Sequence, residues 1–193
     1  MSSKLRVAGA FGCVALFNPL MRVAASDGPI ETDRPDFVES SSTVNPRHMQ
    51  IETSGELASD TAIAYSTPSL LRIGLIRNLE LRAETDGYIT NQGENGFADL
   101  SLGLKLHNAS GGPLDEEEDG PSSAWLLHVD IPSGDEAYSE PGLRPSLRYV
   151  IEYELPADWG LGVMPGIAWD NDSEEQRRVG GLLGVVVGRS IGD

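Results

Sequence analysis

The side chains capable of covalent chemistry are few, and their spacing works against it. Gly188-Arg189-Ser190-Ile191-Gly192 carries the Gly-x-Ser-x-Gly spacing of a nucleophile elbow after an apolar stretch. An elbow needs a helix behind the serine, with acid and histidine partners normally downstream. Only Asp193 follows Gly192, so the pattern reads as a strand running into a turn. Ser101, His107 and His128 fall on polar positions of neighbouring strands, and a barrel-embedded serine nucleophile with a histidine base is physically conceivable. Six residues of strand cover about 20 Å, too far for a Ser101–His107 hydrogen bond, and both histidines read as polar groups of an interior. Asp170, Asp172 and Glu174, like the run Asp115-Glu116-Glu117-Glu118-Asp119, offer carboxylates without the ligand spacing of a calcium loop; solvated loops account for them. Cys13 is the one cysteine. The expectation is a protein that is not an enzyme, with no catalytic residue, no metal site and no cofactor.

The remaining charged residues are organised by period two rather than by catalytic spacing. In Leu100-Ser101-Leu102-Gly103-Leu104-Lys105-Leu106-His107 the leucines share one face of a strand, and Ser101, Gly103, Lys105 and His107 share the other. Met49 to Ser54 alternates in the same way. Leu71, Ile73 and Leu75 lie opposite Arg72 and Gly74, and after Arg77-Asn78 the run Leu79 to Thr85 sets Glu80, Arg82 and Glu84 against apolar residues, which reads as a hairpin. Trp125, Leu127, Val129 and Ile131 share a face opposite His128 and Asp130. Tyr149, Ile151 and Tyr153 lie opposite Arg148, Glu152 and Glu154, and two Gly-spaced strands follow through Trp169 and Ile191.

These are about eight strands of roughly 8 to 11 residues, the length a tilted transmembrane strand needs. Connections of uneven length and the aromatic residues Tyr88, Trp125, Tyr138, Trp159 and Trp169 suit such an architecture. The fold class read from the chain is all-β, an antiparallel up-and-down β-meander or β-barrel of the outer-membrane type, incomplete with about eight strands. Which face meets solvent decides between this reading and its alternative, an exported soluble β-protein that binds a ligand or serves as a structural module. In a membrane barrel the charged face turns inward, making Arg72, Glu80, Arg82, Glu84, Lys105, His107, His128, Asp130, Arg148, Glu152 and Glu154 the lumen-facing candidates.

Residues 1–26 read as a secretory signal, with Lys4 and Arg6 before the apolar Val7 to Phe17 and a small-residue site at Val23-Ala24-Ala25-Ser26. Residues 27–46 carry Pro29, Pro35 and Pro46 without periodicity and read as an extended N-terminal arm, leaving 47–193 for the β-barrel. Removing Lys4, Arg6 and Arg22 and no acid takes the formal charge from −16 to −19. An acidic chain of this kind is a poor partner for nucleic acid.

The string Glu31-Thr32-Asp33-Arg34-Pro35-Asp36-Phe37-Val38-Glu39-Ser40, with Val44 to Glu52 after it, resembles the opening of the outer-membrane family named for the MetA-pathway of phenol degradation. Pro68 to Leu75, Asn78 to Arg82, Gly96 to Lys105 and Ile131-Pro132-Ser133-Gly134 resemble its later strands. The resemblance implies a β-barrel in the bacterial outer membrane that acts as a transporter or channel for small hydrophobic or aromatic compounds. It also implies outer-membrane lipid, a small-molecule solute and, during insertion, the assembly machinery as partners. Asp33, Arg34, Pro35, Asp36 and Phe37 form the family motif. Family members run on for several more strands, so the chain is expected to be a C-terminally truncated product. The residues themselves assign the motif no role; a hypothesis for Asp33, Arg34 and Asp36 is that the arm folds into the barrel mouth as a plug.

Overall fold

The computed structural model describes residues 32–33, 38–59, 63–91, 93–108, 121–171 and 176–189. Residues 1–26, read from the sequence as a secretory signal, the acidic run 115–119 and Ser190 lie outside them.

Twelve antiparallel strands form two sheets among the described residues. They are β1 (Met49–Thr53), β2 (Glu56–Ser59), β3 (Ile63–Ser66), β4 (Ser69–Ile76), β5 (Leu79–Thr85), β6 (Tyr88–Asn91), β7 (Glu94–Phe97), β8 (Leu100–Asn108), β9 (Ser122–Ile131), β10 (Arg144–Leu155), β11 (Trp159–Asn171) and β12 (Arg177–Arg189). The larger sheet has the order β1-β4-β5-β8-β9-β10-β11-β12, a meander in which each strand pairs with the next large-sheet strand in sequence. Its eight strands are the eight that the period-two pattern marks. The smaller sheet, β2-β3-β6-β7, consists of two hairpins inserted into the β1–β4 and β5–β8 connections and joined through β3 and β6.

The connection between β5 and β8 carries the hairpin β6–β7, where Tyr88 packs edge-on against Phe97 with 5.3 Å between centroids. The large sheet is open, as the expected incomplete meander would be: β1 and β12 are its edges, and no ladder joins them among the described residues. The all-β antiparallel meander stands, and closure into a barrel is not observed among the described residues.

Turn chemistry explains the hairpin at β10–β11. Pro156, Ala157 and Asp158 connect Leu155 to its partner Trp159, and Ala157 and Asp158 have φ of 64° and 60°, the left-handed conformation that tight hairpin turns use because its twist matches the strands. Asp tolerates that region, whereas Ala does so at a steric cost.

The two faces of the large sheet are chemically opposite, and their burial is reversed from that of a water-soluble protein. Along β8 the leucines are exposed, Leu102 at 42% and Leu104 at 40%, while the intervening Lys105 is at 0%. On β9, Trp125 and Leu127 are exposed and Leu126 and His128 are buried. Val179, Leu183, Val185 and Val187 on β12 continue the exposed apolar face. The buried face holds Arg72, Glu80, Arg82, Lys105 and His128, with a small apolar cluster of Val38, Ala124, Leu126, Val150 and Met164 beside them.

Candidate functional site

Strand register assembles the polar cluster. Arg72 on β4 pairs with Arg82 on β5, Arg82 with Gly103 on β8, and Gly103 with His128 on β9. One step along, Gly74 pairs with Glu80, Glu80 with Lys105 and Lys105 with Leu126. Two arginines directly opposite each other repel, and buried cations are tolerated only when paired and hydrogen-bonded. Part of the compensation comes from the strands. Glu80 takes Arg72 Nε at 2.8 Å and Arg82 Nη1 at 3.0 Å, and Glu52 on β1 lies 3.3 Å from Arg72 Nη1.

The rest comes from the segment before β1. Residues 33 and 38–44 run along the buried face of the sheet, and Asp33 sits at the centre of the cations. Its Oδ2 accepts from Arg82 Nη1 and from Lys105 Nζ, both at 2.6 Å, with Arg72 Nη1 at 3.4 Å. Its Oδ1 accepts from the amide and the hydroxyl of Ser40, and its own amide donates to Glu52 at 2.9 Å. Burial pushes the Asp33 carboxyl up, but Lys105, Arg82 and Arg72 together outweigh it and hold the group well below the usual carboxylate range.

Glu39 provides the second arm carboxylate, 2.6 Å from Arg82 Nη2 and 3.1 Å from Arg148 Nη1. Backbone groups of the arm complete the contacts. Lys105 Nζ donates to the carbonyls of Ser40 and Ser42 at 2.9 and 3.3 Å, Glu152 accepts the Ser41 amide at 2.7 Å, and Glu80 accepts the Val44 amide at 2.8 Å. His107 Nδ1 lies 3.0 Å from the Ser41 carbonyl. The arm stays close to the sheet at its base because Gly74 has no side chain: a Cβ there would lie 2.1 Å from the Asn45 carbonyl oxygen.

His128 forms a separate pair with Glu84, Nδ1 to Oε1 at 2.9 Å, its ring lying over Gly103. Asp130 lies at the rim, 3.8 Å from Arg144. Glu154 keeps the phase of Arg148 and Glu152 but is exposed beside the β10–β11 turn and joins none of these groups, because β10 outruns the cluster before reaching it. Of the motif residues, Asp33 is at the centre of the site, and Arg34, Pro35, Asp36 and Phe37 lie outside the described residues. Glu39 and Glu52 were not singled out from the sequence. Glu52 has the polar phase of β1, a signal that was available, whereas nothing local marks Glu39.

A second tether holds the connection between β9 and β10. Asp99 accepts the amides of Ser133, Gly134 and Glu140 at 3.0, 2.9 and 3.0 Å, and Arg144 Nη2 at 2.9 Å. Burial raises this carboxyl, and the hydrogen bonds from Ser139 and the three amides more than offset that, so it too sits below its ordinary value.

Among the described residues no group of His, Cys, Asp and Glu is arranged to hold a metal ion, and no helix is long and apolar enough to cross a membrane. No curated protein and no solved structure matches the chain. The family model described as "Putative MetA-pathway of phenol degradation" matches residues 32–182, from the arm carrying Asp33 into β12. With most of its length, its arm and its charged strands inside that match, the chain belongs to the MetA-pathway of phenol degradation family.

Proposed function

We propose that this chain is an outer-membrane β-strand protein that passes small hydrophobic or aromatic molecules through its polar interior without catalysing a reaction. The observation that carries the reading is the reversed burial: leucine, valine and tryptophan on the exposed face, and arginine, lysine and glutamate at the solvent-excluded one. A continuous exposed apolar face is a liability in water and a requirement in lipid, where charge on that face is costly by roughly 2–4 kcal/mol for Arg or Lys at mid-bilayer. Membership of the family supports a role linked to phenol degradation, and uptake is the role a membrane barrel serves in such a pathway.

The open edges of β1 and β12 must be satisfied in a bilayer, since unpaired backbone groups there cost several kcal/mol each. Pairing of these edges is part of the proposal. The test is fractionation of the expressed chain, with migration on a gel before and after heating. Outer-membrane recovery with a heat-dependent shift is the expected result. Recovery in the soluble periplasm would overturn the reading in favour of an exported soluble β-protein.

A further inference from the structure

The charges of the buried site divide unevenly between sheet and arm. Every polar partner of Lys105 among the described residues belongs to the arm: Asp33 at 2.6 Å, the carbonyls of Ser40 and Ser42, and Glu39 at 3.9 Å. Arg148 donates to Glu39 at 3.1 Å, its hydrogen-bonded ion pair among the described residues. Arg82 has Glu80 on its own strand, but its two 2.6 Å contacts are to Asp33 and Glu39. Without residues 33 and 38–44 the sheet presents Arg82 on β5, Lys105 on the neighbouring β8 and Arg148 on β10, with β9 between the last two, toward the space the two arm carboxylates had filled.

The arm is held there in a way that permits exchange. Residues 38–44 attach through side chains and through single amides and carbonyls meeting side chains, not through a strand ladder. Beside Arg148 the same face continues onto β11 and β12 through Gly166, which pairs with Arg148 and with Leu182. Met164, Ala168, Leu182 and Val186 are its apolar side chains, with Asp170 and Arg178 at one end. An aromatic ring whose carboxylate meets Arg148 has these apolar groups to lie against.

From this division we infer that Asp33 and Glu39 are internal ligands of an anion-binding site, and that the solute which takes their place is a small organic carboxylate, with Lys105, Arg82 and Arg148 as its binding residues. Two carboxylates of the chain occupying a three-cation site act as competitors. The apparent affinity for a solute is then reduced by the fraction of time the arm is docked. The identity of the solute deepens the transport reading and rests on it, but the site itself does not require a pore.

The probe is benzoate, with phenol as the uncharged control. Binding to the detergent-refolded chain is read by tryptophan fluorescence, and chloride current and its block by benzoate are read in planar bilayers. Replacing both competitors, Asp33→Asn with Glu39→Gln, is expected to tighten benzoate binding at least about tenfold, leave phenol binding unchanged and shift the reversal potential toward anions. Glu39→Gln alone, which keeps Asp33 in place, is expected to give a smaller change of the same sign and serves where the double variant does not refold. Lys105→Met in either background is expected to reverse the gain. Benzoate binding that is unaltered in both arm variants, or altered equally for phenol, overturns the inference even if the chain conducts. Tightened binding in a chain that never conducts upholds the site and overturns the transport reading.

Discussion

Removing the Asp33 charge tests whether the interior is sealed as its ion pairs require. Asp33→Asn keeps the side-chain shape but takes from Lys105, at 0% exposure, its shortest contact and leaves Glu39 3.9 Å away. It also removes the 2.6 Å partner of Arg82 Nη1. Breaking a buried pair on one side typically costs about 3–5 kcal/mol, because the partner charge stays buried and uncompensated. A solvated pair costs under about 1 kcal/mol. Lys105→Met is expected to cost less than Asp33→Asn, since Asp33 keeps Arg82 and Arg72. The double variant should fall below the sum of the singles by about 1–3 kcal/mol, the coupling of groups in contact. The assay is urea unfolding of the chain refolded in phospholipid vesicles, followed by tryptophan fluorescence, with the slope checked for constancy. A cost under about 1 kcal/mol for Asp33→Asn, or strict additivity in the double variant, would refute the sealed interior and with it the docked arm.

Other perturbations separate the two faces and the turns. Leu104→Arg and Leu127→Arg, at exposed positions of β8 and β9, are expected to cost roughly 2–4 kcal/mol in vesicles; near-zero costs would mean that this face meets water. Acid titration should leave stability flat from pH 7 to about pH 5 and lower it below about pH 4. The sign follows from Asp33 and Asp99: both carboxyls are depressed in the folded chain, so their contribution is complete above the unfolded value and is lost as pH falls through the folded one. Asp33→Asn should remove part of that acid sensitivity. Ala157→Gly at the left-handed turn position is expected to stabilise the hairpin by about 1 kcal/mol, read in the same urea assay. Gly74→Ala should destabilise the docked arm, because its Cβ meets backbone rather than a movable side chain, and should expose the arm to limited proteolysis.

The strands of the large sheet were legible because polar or glycine residues alternate with apolar ones along most of their length, with Leu126 and Val150 as interruptions where the buried face turns apolar. The phase of that pattern also assigned Arg72, Glu80, Arg82 and Lys105 to one face, and register then brought them together. What period two cannot carry is polarity of burial: Leu104 beside Lys105 looks the same whether lysine or leucine meets the outside. The short strands β2, β3, β6 and β7 have four residues each, too few for a periodic signal, and sit where turn residues cluster. Glu39 was illegible for a different reason. Its role depends on an arm folding back across four strands to Arg148, a separation of 109 residues, and no local spacing encodes such a return.

The arm and the passage place opposite demands on the same cations. While Asp33 and Glu39 are docked, Lys105, Arg82 and Arg148 are stabilised and the space before them is filled. When the arm leaves, those cations cannot remain dry, since an uncompensated buried charge costs several kcal/mol. Departure must therefore be coupled to entry of water or of another anion. A neutral aromatic solute makes no use of the uncovered charges, whereas an anion recovers part of what the arm gave up. The difference between the two solutes in opening the chain should then be of the order of 1–3 kcal/mol, the scale of an ordinary coupling between two ligands of one site. By reciprocity, benzoate should loosen the arm by the same factor by which the docked arm weakens benzoate, and phenol should not. Protease cleavage within residues 38–44 that accelerates with benzoate but not with phenol is the expected sign of that linkage; equal acceleration by both would show that the arm responds to apolar filling of the β11–β12 wall and not to charge.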